Sequence, residues 1–151
     1  MPGTPISIFD HALSFLSHRE HSTKELATKL KSKGHPEEDI AETIARLQEM
    51  NYLNDQRFAE IFVRSRISKP LGSKRIMQEL GQKGINSDIA KQAIEEADAD
   101  WFELAKQLKE RRFGEDVVTD YKEKAKQFRY LQYRGFDFEQ IQYATSPKDA
   151  Y

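Results

Sequence analysis

A leucine followed four residues later by a glycine occurs three times at almost constant spacing: Leu30 and Gly34, Leu80 and Gly84, Leu131 and Gly135, with the glycines 50 and 51 residues apart. A basic residue, Lys33, Lys83 or Arg134, precedes each glycine. No other feature narrows the fold as much, because a fixed period of this size marks stacked helical units that bury their apolar faces against one another. Aligned on the glycines, the three copies read ELATKLKSKGHPEEDIAETI (residues 25–44), RIMQELGQKGINSDIAKQAI (75–94) and AKQFRYLQYRGFDFEQIQYA (125–144).

Each hinge has the chemistry to end one helix and begin another. Glycine just past the last apolar position can adopt the left-handed conformation that satisfies orphan carbonyls, and a cation in the last turn suits the negative end of the helix dipole. In the first copy Pro36 fits the first helical position, with Glu37 and Glu38 behind it; in the second Asn86 or Ser87 can cap; in the third Asp137 and Gln140 make a capping box. Ser22 and Glu25 form the same box at the start of the helix that ends at Gly34.

A further amphipathic segment precedes each pair, with apolar positions at Phe9, Leu13 and Leu16, at Phe58, Ile61 and Phe62, and at Trp101, Leu104, Ala105 and Leu108. The expected fold is therefore all-α: nine helices in a tandem array of three three-helix units, forming an elongated, curved molecule. The expected limits are residues 1–8 as an N-terminal tail, 9–54, 55–98 and 99–146 as the three units, and 147–151 as a C-terminal tail. The pattern leaves open whether Asp98-Ala99-Asp100 breaks the chain between units or lies within one long helix.

Composition removes several classes of function. The chain has no cysteine, which excludes disulfides, thiolate nucleophiles and thiolate metal sites together. The first residues, MPGTPISIFD, lack the charged and apolar regions of a signal peptide, and no apolar run approaches the roughly 20 residues that cross a bilayer, so a cytoplasmic protein without membrane contact is expected. His11, His18 and His21 invite a metal reading, but with no nearby carboxylate or fourth ligand they are expected to be surface or capping residues. No cofactor is expected. The many acidic residues fall at helix starts and exposed faces, and neither a glycine-rich phosphate loop nor a nucleophile elbow is present, so catalysis is not expected.

The net charge of −1 hides a segmented distribution. Residues 56–84 hold seven cations against two carboxylates, and residues 86–103 hold six carboxylates against one lysine. The basic middle supplies the candidate binding residues Arg57, Arg64, Lys69, Lys74, Arg75 and Lys83, with Arg111 and Arg112, beside Lys109, in the third unit. Lys24, Lys31 and Lys33 offer an alternative in the first. Arg66 stands apart, because a helical wheel places it between Phe62 and Ala59 on the apolar side, where a charge is expensive unless paired. A structural salt bridge or carbonyl contact is expected for it, with Asp55 a candidate partner. The run Phe128, Arg129, Tyr130, Tyr133, Arg134 and Phe136 could stack single-stranded bases, although helical spacing turns Phe128 and Leu131 toward the core. Residues 22–53 also fit a helix-turn-helix reader of the winged-helix type, a DNA-binding transcriptional regulator; that alternative predicts a two-stranded wing after Leu53.

Three blocks carry a family resemblance. The first holds Arg19, Ser22, Glu25-Leu26, Lys29-Leu30 and Gly34; the second holds Asp55, Phe58-Ala59, Phe62 and Arg66; the third holds Gly72, Arg75-Ile76, Leu80 and Lys83-Gly84-Ile85. In their order and spacing the chain resembles the RecX family, modulators of the bacterial recombinase RecA, over about Phe9 to Ala144. It departs at Leu71, where an aromatic is usual, and at Ser73, where proline is common. The resemblance implies tandem three-helix units without catalytic activity that bind the RecA filament on DNA and suppress strand exchange and the co-protease role. It also gives Asp55, Arg66, Gly34, Gly72 and Gly84 as structural motif positions, to which the glycine period adds Gly135. The expected partners are the RecA filament and, more weakly and through charge, single- and double-stranded DNA; the chain itself is expected to be a monomer.

Overall fold

The computed structural model describes residues 7–146 and contains, among them, nine α-helices and no strand. These are α1 (Ile8–His18), α2 (Thr23–Ser32), α3 (Glu37–Glu49), α4 (Asp55–Ile67), α5 (Ser73–Gln82), α6 (Ser87–Glu96), α7 (Trp101–Phe113), α8 (Tyr121–Tyr133) and α9 (Phe138–Thr145). The expected tails lie largely outside the described residues. After Leu53 the chain enters α4 at once, so the wing required by the helix-turn-helix alternative is replaced by a helix.

Local chemistry sets the helix starts. Ser22 with Glu25 and Asp137 with Gln140 both form reciprocal capping boxes, while Asn54, Asn86 and Asp100 each accept a backbone N–H of the first turn. Pro36 occupies the cap itself rather than the first helical position, which Glu37 takes. Asp98 adopts a left-handed conformation (φ 49°) beyond the end of α6, and Asp100 then caps α7, so the chain does break between the second and third units.

The three hinges share one hydrogen-bond pattern, and it explains the leucine four residues before each glycine. The N–H of the residue after the glycine donates to the leucine carbonyl: His35 to Leu30 (3.3 Å), Ile85 to Leu80 (3.0 Å) and Phe136 to Leu131 (3.2 Å). This closure requires positive φ at the glycine, observed at 89°, 79° and 102° for Gly34, Gly84 and Gly135. The leucine side chains are fully buried in three successive cores. The first core gathers Ala12, Leu26, Leu30, Ile40, Leu47 and Leu53; the second centres on Phe58, Phe62, Val63, Ile76 and Leu80; the third on Ala105, Leu108, Leu131, Phe136 and Ile141. Trp101 packs against both the second and the third and so bridges them. Ile61, expected in the apolar stripe of α4, is instead 41% exposed, because Phe58, Ala59, Phe62 and Val63 already fill that side.

Candidate functional site

The elements meet end to end at two junctions built in the same register. At the first, the start of α2 docks on the end of α5: the Ser22 hydroxyl donates to the Lys83 carbonyl (2.7 Å) and Lys24 Nζ to the Gln82 carbonyl (3.3 Å). Asp55, at the start of α4, accepts the Thr23 N–H (2.8 Å) and completes the capping of α2. At the second, the start of α5 docks on the end of α8, with Gly72 N–H donating to the Arg134 carbonyl (2.8 Å) and Lys74 N–H to the Gly135 carbonyl (3.2 Å). Each junction satisfies carbonyls at the end of one helix with donors from the start of another, side chains at the first junction and backbone N–H groups at the second, and the two dipoles attract.

Between these junctions lies a polar cleft of about 730 Å³ lined by Arg66, Arg75, Gln78, Glu79, Gln82, Lys83 and Tyr133. Glu79 is its centre: Arg66 Nε donates to one carboxylate oxygen (2.8 Å) and Arg75 Nε to the other (3.0 Å). Burial works to raise the Glu79 pKa, but the hydrogen bonds from Arg66 and Arg75 outweigh it and hold the carboxyl below its ordinary value. Arg66 also lies over the Phe62 ring (4.2 Å), whose apolar face explains how a cation sits on that side of α4. The guanidinium of Arg75 covers the ring of Tyr133 (5.1 Å) and donates to its carbonyl (3.3 Å). At the first junction Glu25 takes two hydrogen bonds from Arg19 and one from Lys83 (3.0 Å). Burial acts to raise its pKa, yet the contacts from Arg19, Lys83 and the Ser22 backbone hold it down at about 2.

The sequence-derived candidates therefore occupy different environments. Arg66 is paired with Glu79 rather than Asp55, which is committed to Thr23. Arg57 is half-buried, bonded to Glu20 (2.7 Å) and to the Asn51 and Tyr52 carbonyls, so it closes the turn before α4 rather than facing solvent. Arg75 and Lys83 combine cleft positions with ion pairs, whereas Lys69 and Lys74 have exposed side chains. Arg64 is exposed but lines a second groove among Glu60, Glu96, Asp100 and Glu103. Arg111 and Arg112 are exposed at the end of α7, with Arg112 over the Tyr130 and Phe113 rings. Lys109 is buried and donates to the Gly114 and Asp116 carbonyls (2.8 Å each), so it tethers the long loop before α8 and is removed from any binding face.

His21 departs from its expected surface role. It is buried, and Lys29 Nζ donates to its Nε2 (2.8 Å), which leaves Nδ1–H to donate to the Arg19 carbonyl (3.0 Å). Burial holds this imidazole below the ordinary histidine value and therefore neutral. His11 pairs with His35 (2.7 Å). Among the described residues no group of three His, Cys, Asp or Glu is placed to hold a metal ion, and no helix is long and apolar enough to cross a membrane.

The sequence places Glu25 in a capping box, but the ion-pair roles of Glu25 and Glu79 are not legible in it. Glu25 lies in the first turn of α2 and Glu79 near the end of α5, and only the folded contacts distinguish them from ordinary surface carboxylates.

Models of three domains match this chain in order: the RecX first three-helix domain over residues 9–47, the second over 54–94 and the third over 98–145. The regulatory protein RecX of Vibrio parahaemolyticus is 45% identical, the match covering 95% of this chain and 93% of the relative. That of Halorhodospira halophila is 39% identical, covering 95% and 89%. The crystal structure of RecX from Lactobacillus salivarius superposes with a TM-score of 0.71 at 29% identity over 89% of each chain. A second crystal structure, of a regulatory protein RecX, superposes with a TM-score of 0.79 at 23% identity, over 95% of this chain and 80% of that one. With all three of its helical triplets matched in order and relatives aligned along nearly its whole length, the chain belongs to the RecX family of regulatory proteins, non-enzymatic inhibitors of RecA.

Proposed function

We propose that the chain binds the RecA filament on its DNA through the cleft of Arg66, Arg75, Lys83 and Tyr133, with Lys69 and Lys74 on the loop and first turn beside it, and thereby inhibits recombinase and co-protease activity. The observation that carries this reading is an open cleft whose lining holds three cations and one carboxylate, a net charge of +2: Arg66 and Arg75 meet on Glu79, while Lys83 pairs with Glu25 at the edge, so phosphates could approach an excess of positive charge. Tyr133, 71% exposed, offers a ring on which a base can stack. A curved array of three units would follow the helical groove of a filament, since repeat proteins present long continuous surfaces. On this reading the protein acts in the bacterial cytoplasm as a monomer, and it binds bare single- or double-stranded DNA more weakly than the filament.

Lys69 and Lys74 give the clean test, because their side chains are exposed and enter no ion pair among the described residues. Lys69→Glu with Lys74→Glu is expected to leave the helical circular-dichroism spectrum unchanged and to move stability by no more than about 0.5 kcal/mol per site. Inhibition of RecA strand exchange should weaken, more at low salt than at high, and each lost phosphate contact should lower the salt slope of DNA binding by roughly one. Undiminished inhibition at every salt concentration would place the binding face elsewhere, with Arg111 and Arg112 next to be tested.

A further inference from the structure

On the far side of α4 from the basic cleft lies a groove of opposite character. It has a volume of about 610 Å³ and is enclosed by α4, α6 and α7 at the boundary of the second and third units. Its floor is apolar, made by Ile67, Ala93, Ala97, Ala99 and Leu104, and its rim carries Glu60, Glu96, Asp100 and Glu103 against the single cation Arg64. The walls are helical stripes: residues 60, 64 and 67 on α4, and 100, 103, 104 and 107 along the start of α7. Arg66 is turned about 120° round α4 from Glu60, so the two binding faces are separate.

The four rim carboxylates are held only by neutral groups. Glu60 accepts from Gln56 (3.4 Å), Glu96 from Gln92 (3.0 Å), Asp100 from the Glu103 N–H (3.1 Å) and Glu103 from the Tyr143 hydroxyl (3.5 Å). None of the four is in an ion pair among the described residues, although Glu79 of the basic cleft and Glu25 of the first junction are both paired. Like charges around one concavity repel, and the concave wall focuses their field, so a cationic ligand there removes a cost as well as gaining an attraction. Paired helical walls over an apolar floor are the geometry of helix-in-groove recognition, read by apolar anchors at i, i+3, i+4 and i+7.

We propose that this groove docks a basic amphipathic helix of a protein partner, its apolar face on Ile67, Ala97 and Leu104 and its lysines or arginines against Glu60, Glu96 and Glu103. The site is independent of phosphate binding: it recognises protein, and the basic cleft recognises nucleic acid.

The test uses the full chain and a fluorescein-labelled 18-residue peptide with leucine at i, i+3, i+4 and i+7 and lysine elsewhere. A scrambled peptide of the same composition serves as the control for charge alone. The amphipathic peptide should bind at least tenfold more tightly than the scrambled one, and Glu60→Lys with Glu96→Lys should weaken it a further tenfold or more. The neutral pair Glu60→Gln and Glu96→Gln should give an intermediate loss, with helical content and bare-DNA affinity unchanged. Charge reversal at Glu37 and Glu38, on the first unit, should leave peptide binding as it was. No binding, equal binding of the scrambled peptide, or indifference to both groove variants would overturn the proposal. So would spermidine binding as tightly as the peptide, which would assign the groove to small polycations. Dimerisation abolished by the same reversal would place a second copy of the chain there, and would overturn it equally.

Discussion

Arg66 illustrates how far a single residue can be understood from its position alone. Its place on the apolar side of α4 demands a partner, but the partner comes from the next helix, where Glu79 receives Arg66 and Arg75 on separate oxygens. This sharing sets the size of the mutational effect. Arg66→Ala leaves Glu79 with Arg75, so the expected loss is about 1–2 kcal/mol, below the 3–5 kcal/mol of a carboxylate orphaned in a buried pair. Arg75→Ala alone should cost a similar amount. The double substitution removes both partners and should cost more than the sum, giving a coupling of at least about 0.5 kcal/mol in a double-mutant cycle by thermal or urea denaturation. Strict additivity would mean that Glu79 is well enough hydrated to need neither arginine.

At the level of elements, the three glycine hinges are alike in backbone conformation and different in surroundings. A Cβ at Gly34 would meet nothing within 4 Å; at Gly84 it would lie 2.6 Å from the Lys24 Cβ; at Gly135 it would lie 2.3 Å from the Arg75 Cβ and 2.6 Å from its backbone nitrogen. Alanine at Gly34 should therefore cost only the left-handed penalty, roughly 1–2 kcal/mol. Gly84→Ala should cost more, and Gly135→Ala the most, because there the obstacle is backbone that cannot swing aside. Chemical denaturation of the three variants checks this order, and an equal loss at all three would show that the junctions open without energetic consequence. The sequence reveals the glycines as helix stops. It does not reveal that two of them are also docking surfaces, since Lys24 and Gly84 are 60 residues apart and meet only when the units stack.

For the whole molecule, acid should act on the stacking of units. Glu25 sits at about 2 in the folded chain against an ordinary 4.5, so the unfolded chain binds more protons between these values. Its stabilisation is complete above about pH 4.5 and is lost as pH falls toward 2, on the order of 2–3 kcal/mol in all. The Lys83–Glu25 pair joins the first unit to the second, so that junction weakens in the same window. His21, lowered from 6.5, adds an earlier loss that begins as pH falls below 6.5. Melting temperatures measured from pH 7 to pH 3 should fall in both ranges. Glu25→Gln should be less stable at pH 7 and should flatten the dependence below pH 4.5; an unaltered profile would remove Glu25 from the junction's energetics.

The sequence by itself determined the helices, their caps, their grouping in threes and the family, because each of these is written in short-range terms: a 3.6-residue apolar period, a capping side chain three residues from its target, a glycine where φ must be positive. It also determined that Arg66 needs a partner. Tertiary structure alone decided which carboxylate pairs with which cation, that Lys109 and His21 are buried, that Arg57 closes a turn, and that the acidic residues before and within α7 face Glu60 across a groove. The physical reason is range. A cap or a turn is settled by residues within one helical turn, whereas the charge of a surface depends on side chains that lie far apart in sequence and are brought together only when one unit's helix ends on the next.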